Sequence, residues 1–186
     1  MRLFAGIPLD LDTRALLAGR LEGLRGAGWP IRWVSPAAWH LTVRFYGERD
    51  AADVARIGSG LAEALRGTPA LDLHLTTIGT NAMGPRARVL WVEVEAPAGL
   101  ELLHDRVERS GAALGIEPEG RPYRPHLTIG RVRDGAALPP DAGPRLAGVT
   151  VDLPFLADRL VLFESVPGRG GPTYTARATF PLERAA

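Results

Sequence analysis

The chain contains 186 residues, of which 46% are hydrophobic and 23% charged, a balance typical of a globular domain and unlike that of disordered or fibrous proteins. The formal net charge is only +1, so no overall basic field attracts nucleic acid, and any anion-binding site must be local. The absence of cysteine excludes disulfides, thiolate nucleophiles and cysteine-bound zinc, and it fits a reducing cytoplasm.

The N-terminal segment is basic at Arg2 and then apolar, until Pro8 and Asp10 interrupt the run. An apolar run of this length is too short for an export signal or a membrane span. We therefore predict a first strand over Arg2–Pro8, a cytoplasmic location and no membrane partner.

Helices and strands alternate in the first half of the predicted structure. The first helix is expected to bury leucines on one face, and a second helix shows the same 3.6-residue spacing. Strands are predicted at Arg2–Pro8, at Ile31–Val34 and around His40. The first helix is predicted to begin at Asp12 or Thr13 and to bury Leu16, Leu17, Leu21 and Leu24. The second is predicted to begin at Asp50 or Asp53 and to end before Gly67.

The second half repeats this order loosely. After two strands and a helix, the segment Arg121–Pro125 leads into a strand that begins at His126, and a loop rich in proline and glycine follows. Strands are predicted at Leu71–Ile78, Arg88–Val94, Val149–Leu153, Arg159–Glu164 and Thr173–Pro181, and a helix at Ala98–Leu114.

These elements predict one α+β domain over residues 1–186. It would have two pseudo-duplicated lobes, with mostly antiparallel sheets facing a central groove and helices packed outside.

Two strands in opposite halves carry the same polar pair, His40 with Thr42 and His126 with Thr128. Side chains alternate between the two faces of a strand, so each histidine shares a face with its threonine, while the intervening apolar residues enter the core. An imidazole with its unperturbed pKa of about 6.5 can donate or accept a proton at neutral pH. The pattern therefore predicts one acid and one base acting in a shared cleft.

The pattern His-x-Thr is weak alone, because His74-Leu75-Thr76 is a third copy. The context separates the copies: tryptophans and Ser35-Pro36 precede His40, and Arg121-Pro122-Tyr123-Arg124-Pro125 precedes His126. We expect His74 to be an exposed strand residue.

Four ordered blocks of the sequence resemble the 2H phosphoesterases, and within them the RNA 2′,3′-cyclic phosphodiesterases that are also described as 2′-5′ RNA ligase-like. The blocks are Arg2-Leu3-Phe4-Ala5-x-x-x-Pro8-Leu9, Trp33-Val34-x-Pro36-x-x-Trp39-His40-Leu41-Thr42-Val43-x-Phe45-Tyr46-Gly47, Arg124-Pro125-His126-Leu127-Thr128-Ile129-x-Arg131, and Leu160-x-Leu162-Phe163-x-Ser165 with Gly171-Pro172-x-Tyr174. One departure follows Gly79, where relatives often carry Phe-Pro and this chain has Thr80-Asn81-Ala82-Met83.

The resemblance implies a 2H phosphoesterase fold and hydrolysis of RNA or nucleotide 2′,3′-cyclic phosphate ends to 2′-phosphates, without metal or other cofactor. It implies that His40 protonates the leaving 3′ oxygen and that His126 activates the attacking water. Thr42 and Thr128 would donate hydrogen bonds to the phosphate. The sequence by itself leaves open which histidine is the acid. No obligate protein partner is expected.

Further substrate contacts are expected from Arg124, Arg131 and Tyr123. Arg124 shares the strand parity of His126 and could bind phosphate. Arg131 has the opposite parity and would need a bulge or the end of the strand to reach the cleft. Tyr123, Phe45 and Tyr46 could stack on bases, although the parity of Phe45 predicts burial.

The remaining aromatic and imidazole side chains have simpler interpretations. His104 is expected to be a solvated helix residue, and Trp29, Trp33, Trp39 and Trp91 are expected to be packing residues.

Four alternatives to this function differ in how well the sequence fits them. A zinc site built on His40, His126 and His74 is disfavoured because metal-binding histidine spacings are absent, and ATP-dependent ligation is disfavoured because the chain has no lysine for a phosphate loop. ATP-independent 2′-5′ RNA ligation at the same site, and an RNA- or nucleotide-binding module without turnover, remain alternatives.

Overall fold

The computed structural model describes residues 1–82, 84–168 and 171–184. Its strands form one continuous antiparallel sheet in the order β7-β4-β5-β6-β3-β1-β8-β9, with the short β2 paired to β6. The strands are β1 (Arg2–Pro8), β2 (Ile31–Trp33), β3 (His40–Glu48), β4 (Leu71–Thr80), β5 (Val89–Glu95), β6 (His126–Val132), β7 (Leu153–Ala157), β8 (Arg159–Val166) and β9 (Thr173–Pro181).

Helices cover one face of this sheet. They are α1 (Leu11–Arg25), α2 (Ala51–Ala64), α3 (Ala98–Ala113) and α4 (Ala142–Ala147). Their buried residues, such as Leu21, Leu61 and Leu103, join the core formed by Leu41 of β3 and Leu127 of β6. The expected α+β fold with outer helices is confirmed, and the opposite face of the central strands is left for polar side chains.

The two histidine-bearing strands are neighbours at the centre of the sheet. They pair antiparallel, with Leu41 opposite Leu127. The first five residues of both strands have the same order of burial. The histidine and the threonine are half-buried, the residue between them is buried, and the two residues after the threonine are buried. The sequence repeat is therefore also a structural repeat.

A bulge directly after the His-x-Thr pair breaks the alternation in each of these strands, and the pairing of β3 with β1 has a second register shift between Leu3 and Phe4. In β3, Ala5 pairs with Arg44 and Gly6 with Thr42, so that Val43 is the extra residue. In β6, Leu90 pairs with Gly130 and Trp91 with Thr128, so that Ile129 is the extra residue. An extra residue reverses the side-chain parity beyond it.

The start of α1 differs from the prediction. Asp10, and not Asp12 or Thr13, caps the helix, because its carboxylate accepts a hydrogen bond from the Thr13 backbone N–H at 2.8 Å. Leu17, Leu21 and Leu24 are buried as predicted, but Leu16 lies off this stripe and is 57% exposed.

The strand predicted at Val149–Leu153 lies later in the chain. Asp152 has a positive φ of 41°, which breaks an extended segment, and β7 begins at Leu153. The predicted turn after Gly79 includes Met83, which lies outside the described residues.

Within the described ranges, none of the helices has the length and apolarity needed to cross a membrane.

Candidate active site

Four polar side chains meet on the open face of the central strands. The register through Leu41 and Leu127 sets His40 opposite Thr128 and Thr42 opposite His126 in an antiparallel pair. Side chains directly opposite each other lie about 5 Å apart at Cβ. The charge of His126 also acts on His40, as expected of neighbouring rings. The two halves of the chain thus bring both imidazoles to one patch.

Both imidazoles are oriented in the same way. His40 Nδ1 lies 2.8 Å from the Ala38 carbonyl oxygen, and His126 Nδ1 lies 2.8 Å from the Arg124 carbonyl oxygen. A carbonyl only accepts hydrogen bonds, so each Nδ1 carries the proton. In the neutral rings Nε2 is therefore the basic atom that is left for proton transfer.

The environment of His40 disfavours its charged form. Burial lowers the pKa of His40 below its usual value, and the nearby His126 lowers it further, while the hydrogen bond to Ala38 opposes the shift. A bound phosphate anion beside the ring would act in the opposite direction.

The hydroxyls of Thr42 and Thr128 are available to a ligand. Both side chains are half-buried, and neither hydroxyl bonds to another residue in the part of the chain that the structure describes. Two imidazoles and two free hydroxyls on one patch form a set of donors suited to a small anion.

An aromatic wall surrounds His40. The ring centroids of Phe4 and Tyr174 lie 4.7 Å and 4.9 Å from the imidazole, and that of Phe163 lies 5.9 Å away. Gly6 leaves room for this ring, because a Cβ at that position would lie 3.3 Å from His40 Cδ2. The alternation of buried Leu3, Ala5 and Ile7 could have placed Phe4 on the groove face, but the sequence analysis did not assign it there.

A different wall surrounds His126. The Trp91 ring centroid lies 5.4 Å from the imidazole, and Glu93 pairs with His126 across the strands. Trp91 donates a hydrogen bond to the Glu93 carboxylate. Trp91 was expected to be a packing residue, whereas the structure leaves it half-buried beside the candidate base. The sequence contains a signal for this position, because Trp91 alternates along the strand with the apolar residues Leu90 and Val92, which are buried.

The two bulges bring Phe45 and Arg131 onto the groove face. Phe45 is 46% exposed and its ring lies 5.7 Å from that of Phe4, so the expectation of burial is wrong. Arg131 is exposed, and its charge lowers the pKa of Tyr174 against the larger raising effect of burial. The bulge that Arg131 requires is therefore present.

The other residues predicted to touch substrate are placed differently. Tyr46 is only 2% exposed, which excludes stacking on a base. Tyr123 stacks on His104 at 4.1 Å and donates a hydrogen bond to the Thr42 carbonyl at 3.4 Å, so one of its ring faces is occupied. His104 is thus packed rather than solvated. The Arg124 side chain is exposed, and its substrate contact stays a prediction.

Arg44 ties β3 to the end of α3 and to the segment that follows this helix, from the core side of the sheet. Its guanidinium is fully buried and donates to the carbonyls of Val107, Glu108, Ile116 and Glu117. These carbonyls belong to the end of α3 and to the segment that leads towards β6. Burial of an arginine was not predicted, since the parity without a bulge places it outside.

His74 lies apart from the two His-x-Thr pairs and contacts two carboxylates. Its Nε2 lies 2.7 Å from Asp152 Oδ1 and its Nδ1 lies 3.6 Å from Glu95 Oε2. The side chain is 38% exposed, in agreement with the expected exposed strand residue. Across residues 1–82, 84–168 and 171–184, no three His, Asp or Glu side chains are grouped to hold a metal ion.

Comparisons with known proteins show which family the chain belongs to. A family model described as "2′-5′ RNA ligase superfamily" matches residues 17–169. A protein of Aeropyrum pernix named RNA 2′,3′-cyclic phosphodiesterase is 34% identical over 132 residues, covering 66% of this chain and 72% of that protein. One of the same name from Thermotoga maritima is 28% identical over 177 residues, covering 94% and 91%. The crystal structure of Escherichia coli LigT complexed with 3′-AMP is 27% identical, with a TM-score of 0.74 over 97% of each chain.

Proposed function

Because this chain belongs to the 2′-5′ RNA ligase superfamily of 2H phosphoesterases, we propose that it is an RNA 2′,3′-cyclic phosphodiesterase that produces 2′-phosphomonoesters by two-histidine catalysis without a metal. The relatives from Aeropyrum pernix and Thermotoga maritima carry the name of this activity, and the related LigT structure is a complex with 3′-AMP. The observation that carries the mechanism is the matched orientation of His40 and His126, each with Nδ1 bonded to a carbonyl and Nε2 left for chemistry.

The reaction needs three contributions from the protein. His126 Nε2 takes a proton from water as the water oxygen bonds to phosphorus, and His40 Nε2–H gives its proton to the 3′ oxygen as the P–O3′ bond breaks. Thr42 and Thr128 stabilise the charge on the phosphoryl oxygens. The product carries a 2′-phosphate and a free 3′ hydroxyl, and the two imidazoles return to their starting states by exchanging protons with solvent.

The proposed role of His40 as the acid requires its protonated form. Burial lowers the pKa of His40 in the free protein, but a cyclic phosphate bound beside the ring adds a negative charge that favours the imidazolium. Substrate binding thus prepares the acid. Arg131, exposed on the same face, adds further positive charge near the phosphate.

The test of this function is incubation of the chelator-treated protein with adenosine 2′,3′-cyclic phosphate, followed by separation of the adenosine monophosphates. We expect the 2′-monophosphate, at a rate that added divalent metal does not change. Formation of the 3′-monophosphate, a requirement for metal, or no turnover would contradict the proposal.

Histidine variants provide a matched control within the chain. His40→Ala and His126→Ala should each lower kcat by about 10²- to 10⁴-fold, the usual contribution of general acid-base catalysis. His74→Ala changes the third His-Leu-Thr copy, whose ring binds Asp152 elsewhere, and should leave kcat unchanged. Equal losses in all three variants would indicate an unspecific effect on folding.

A substrate with a good leaving group separates the acid from the base. A p-nitrophenyl phosphodiester needs little protonation of its leaving oxygen, so His40→Ala should keep most of its activity on this substrate, while His126→Ala should lose it. The opposite pattern would exchange the two roles.

A further inference from the structure

A pocket of about 480 Å³ is lined by His40 and not by His126. Phe163 and Tyr174 line it near the imidazole, and Arg14 and Arg159 also line it. Its volume lies in the range of small-molecule sites and suits a nucleoside. The pocket therefore offers space for more of the substrate than the reacting phosphate.

Arg14 in the first turn of α1 is an arginine without a counter-ion. Within the described residues its guanidinium has neither a hydrogen bond nor an ion pair, and its Nε is shielded from solvent. The nearby cap residue Asp10 does not compensate it, because the Asp10 carboxylate is bonded to Thr13. A shielded Nε–H that lacks an acceptor is costly, and an anion bound to the guanidinium would supply one.

Arg159 at the start of β8 adds positive charge to the same pocket. Its Nη1 lies 2.8 Å from Asp158 Oδ1, but Asp158 is shared with Arg184, whose Nη2 lies 3.3 Å from Oδ2. A single carboxylate thus faces two arginines. The described residues that line the pocket include two arginines and neither Asp nor Glu.

We propose that this pocket, which we call the Arg14/Arg159 pocket, binds the phosphate on the 5′ oxygen of the terminal nucleoside, one nucleoside away from the reacting phosphorus. This inference rests on the proposed function. The terminal ribose and base would lie against Phe163 and Tyr174, and the guanidiniums would bind the 5′-phosphate, since arginine forks match phosphate geometry. The protein would then distinguish the end of a phosphorylated chain from a free nucleoside cyclic phosphate.

Three substrates test this proposal in the wild-type protein and in the Arg14→Gln and Arg159→Gln variants. They are adenosine 2′,3′-cyclic phosphate with a 5′ hydroxyl, the same compound with a 5′-phosphate, and a dinucleotide ending in a 2′,3′-cyclic phosphate. We expect each variant to lower kcat/KM by about tenfold on a 5′-phosphorylated substrate, because this is the effect of losing a hydrogen bond to a charged group. On the 5′-hydroxyl compound, kcat/KM of each variant should stay within about twofold of the wild-type value. Arg20→Gln, on an exposed turn of α1, is the matched control and should change none of them.

The two phosphorylated substrates distinguish the source of the phosphate. A loss confined to the dinucleotide would assign the arginines to a chain phosphodiester, and a loss confined to the 5′-monophosphate would assign them to a terminal phosphate. The proposal would be overturned if the variants lost as much kcat/KM on the 5′-hydroxyl compound as on the phosphorylated substrates, or if they lost none on any substrate.

Binding of a product analogue separates this inference from the proposed function. We expect calorimetry to give tighter binding of adenosine 2′,5′-bisphosphate than of adenosine 2′-monophosphate, and Arg14→Gln to remove the difference. If the wild-type protein hydrolyses none of the three substrates, the proposed function fails, whereas equal binding of the two analogues would refute the pocket assignment itself.

Discussion

Replacing Arg44 with methionine removes the buried connection between β3 and the end of α3 with the segment that follows it. Methionine keeps much of the apolar volume but cannot donate to the carbonyls of Val107, Glu108, Ile116 and Glu117, which Arg44 binds at 2.5 to 3.3 Å. It also leaves the Glu108 carboxylate without the guanidinium that lies 3.4 Å away. The Glu108 oxygens have no hydrogen bond to another described residue, and besides Arg44 the nearest cationic partner is the His104 imidazole, whose Nε2 lies 4.0 Å from Oε1.

The expected loss of stability is large. Removing one partner of a buried ion pair costs about 3 to 5 kcal/mol, because the other charge remains buried. Unfolding free energies of natural domains are about 5 to 15 kcal/mol, so Arg44→Met should remove a substantial part of the total. With a urea m-value of about 2 to 3 kcal/mol/M, the midpoint of unfolding should fall by about 1 to 2 M.

Urea unfolding followed by circular dichroism measures this loss. The double variant Arg44→Met with Glu108→Gln should be more stable than Arg44→Met alone, because it removes the orphaned charge. Arg20→Met on the exposed side of α1 should stay within about 0.5 kcal/mol of the wild type. An Arg44→Met protein within about 1 kcal/mol of the wild type would refute the reasoning, as would a double variant no more stable than the single one.

Three further predictions concern stability, catalysis and pH. A Cβ at Gly111 would lie 2.2 Å from Arg44 Nη1, so Gly111→Ala should lower the free energy of unfolding by about 1 to 3 kcal/mol. Gly19→Ala, where a Cβ meets nothing within 4 Å, should raise it by up to about 1 kcal/mol. Thermal melting measures both changes, and a stabilised Gly111→Ala protein would contradict the prediction. Arg131→Met should lower kcat/KM on adenosine 2′,3′-cyclic phosphate by about tenfold with no change in the urea midpoint, and unaltered kcat/KM would exclude a substrate contact. Burial lowers the pKa of His40 in the folded state, so the unfolded state binds more protons below about pH 6.5 and the free energy of unfolding falls as the pH drops from about 7. In the His40→Gln variant this free energy should fall less steeply with pH. Urea titrations at several pH values measure the dependence, and the same slope in the variant and the wild type would contradict the prediction.

The histidine pairs were predictable because their signal is local. Alternation along five residues sets His40 and Thr42 on one face, and the same holds for His126 and Thr128. The strands repeat this pattern as neighbours in the sheet, which the resemblance to a duplicated fold implied.

The bulges were not predictable from alternation, and the errors at Phe45 and Tyr46 follow from this. What turns Arg44 inward is a set of carbonyls between residues 107 and 117, far along the chain. A strand pattern read by itself contains no information about such partners. The equivalent position in β6 is Gly130, where a Cβ would lie 2.7 Å from Ile31, so the two bulges are supported by different local contacts.

The pocket beside His40 was also beyond the sequence pattern. Arg14 and Arg159 come from the first helix and the eighth strand, and only the fold of the sheet brings both to one cavity. An arginine on a helix or at a strand start usually indicates a solvated face. The lack of a counter-ion at Arg14 becomes visible only when its neighbours are known.

Convergence of the two imidazoles on one phosphate is measured by an NMR titration of the protein with ¹⁵N-labelled histidine, using adenosine 2′-monophosphate as the product ligand. We expect the neutral rings of His40 and His126 to carry their proton on Nδ1, and both Nε2 resonances to shift together as one equivalent of nucleotide binds. A response from only one of the two rings, or separate responses at different nucleotide concentrations, would contradict convergence of the two imidazoles on one phosphate.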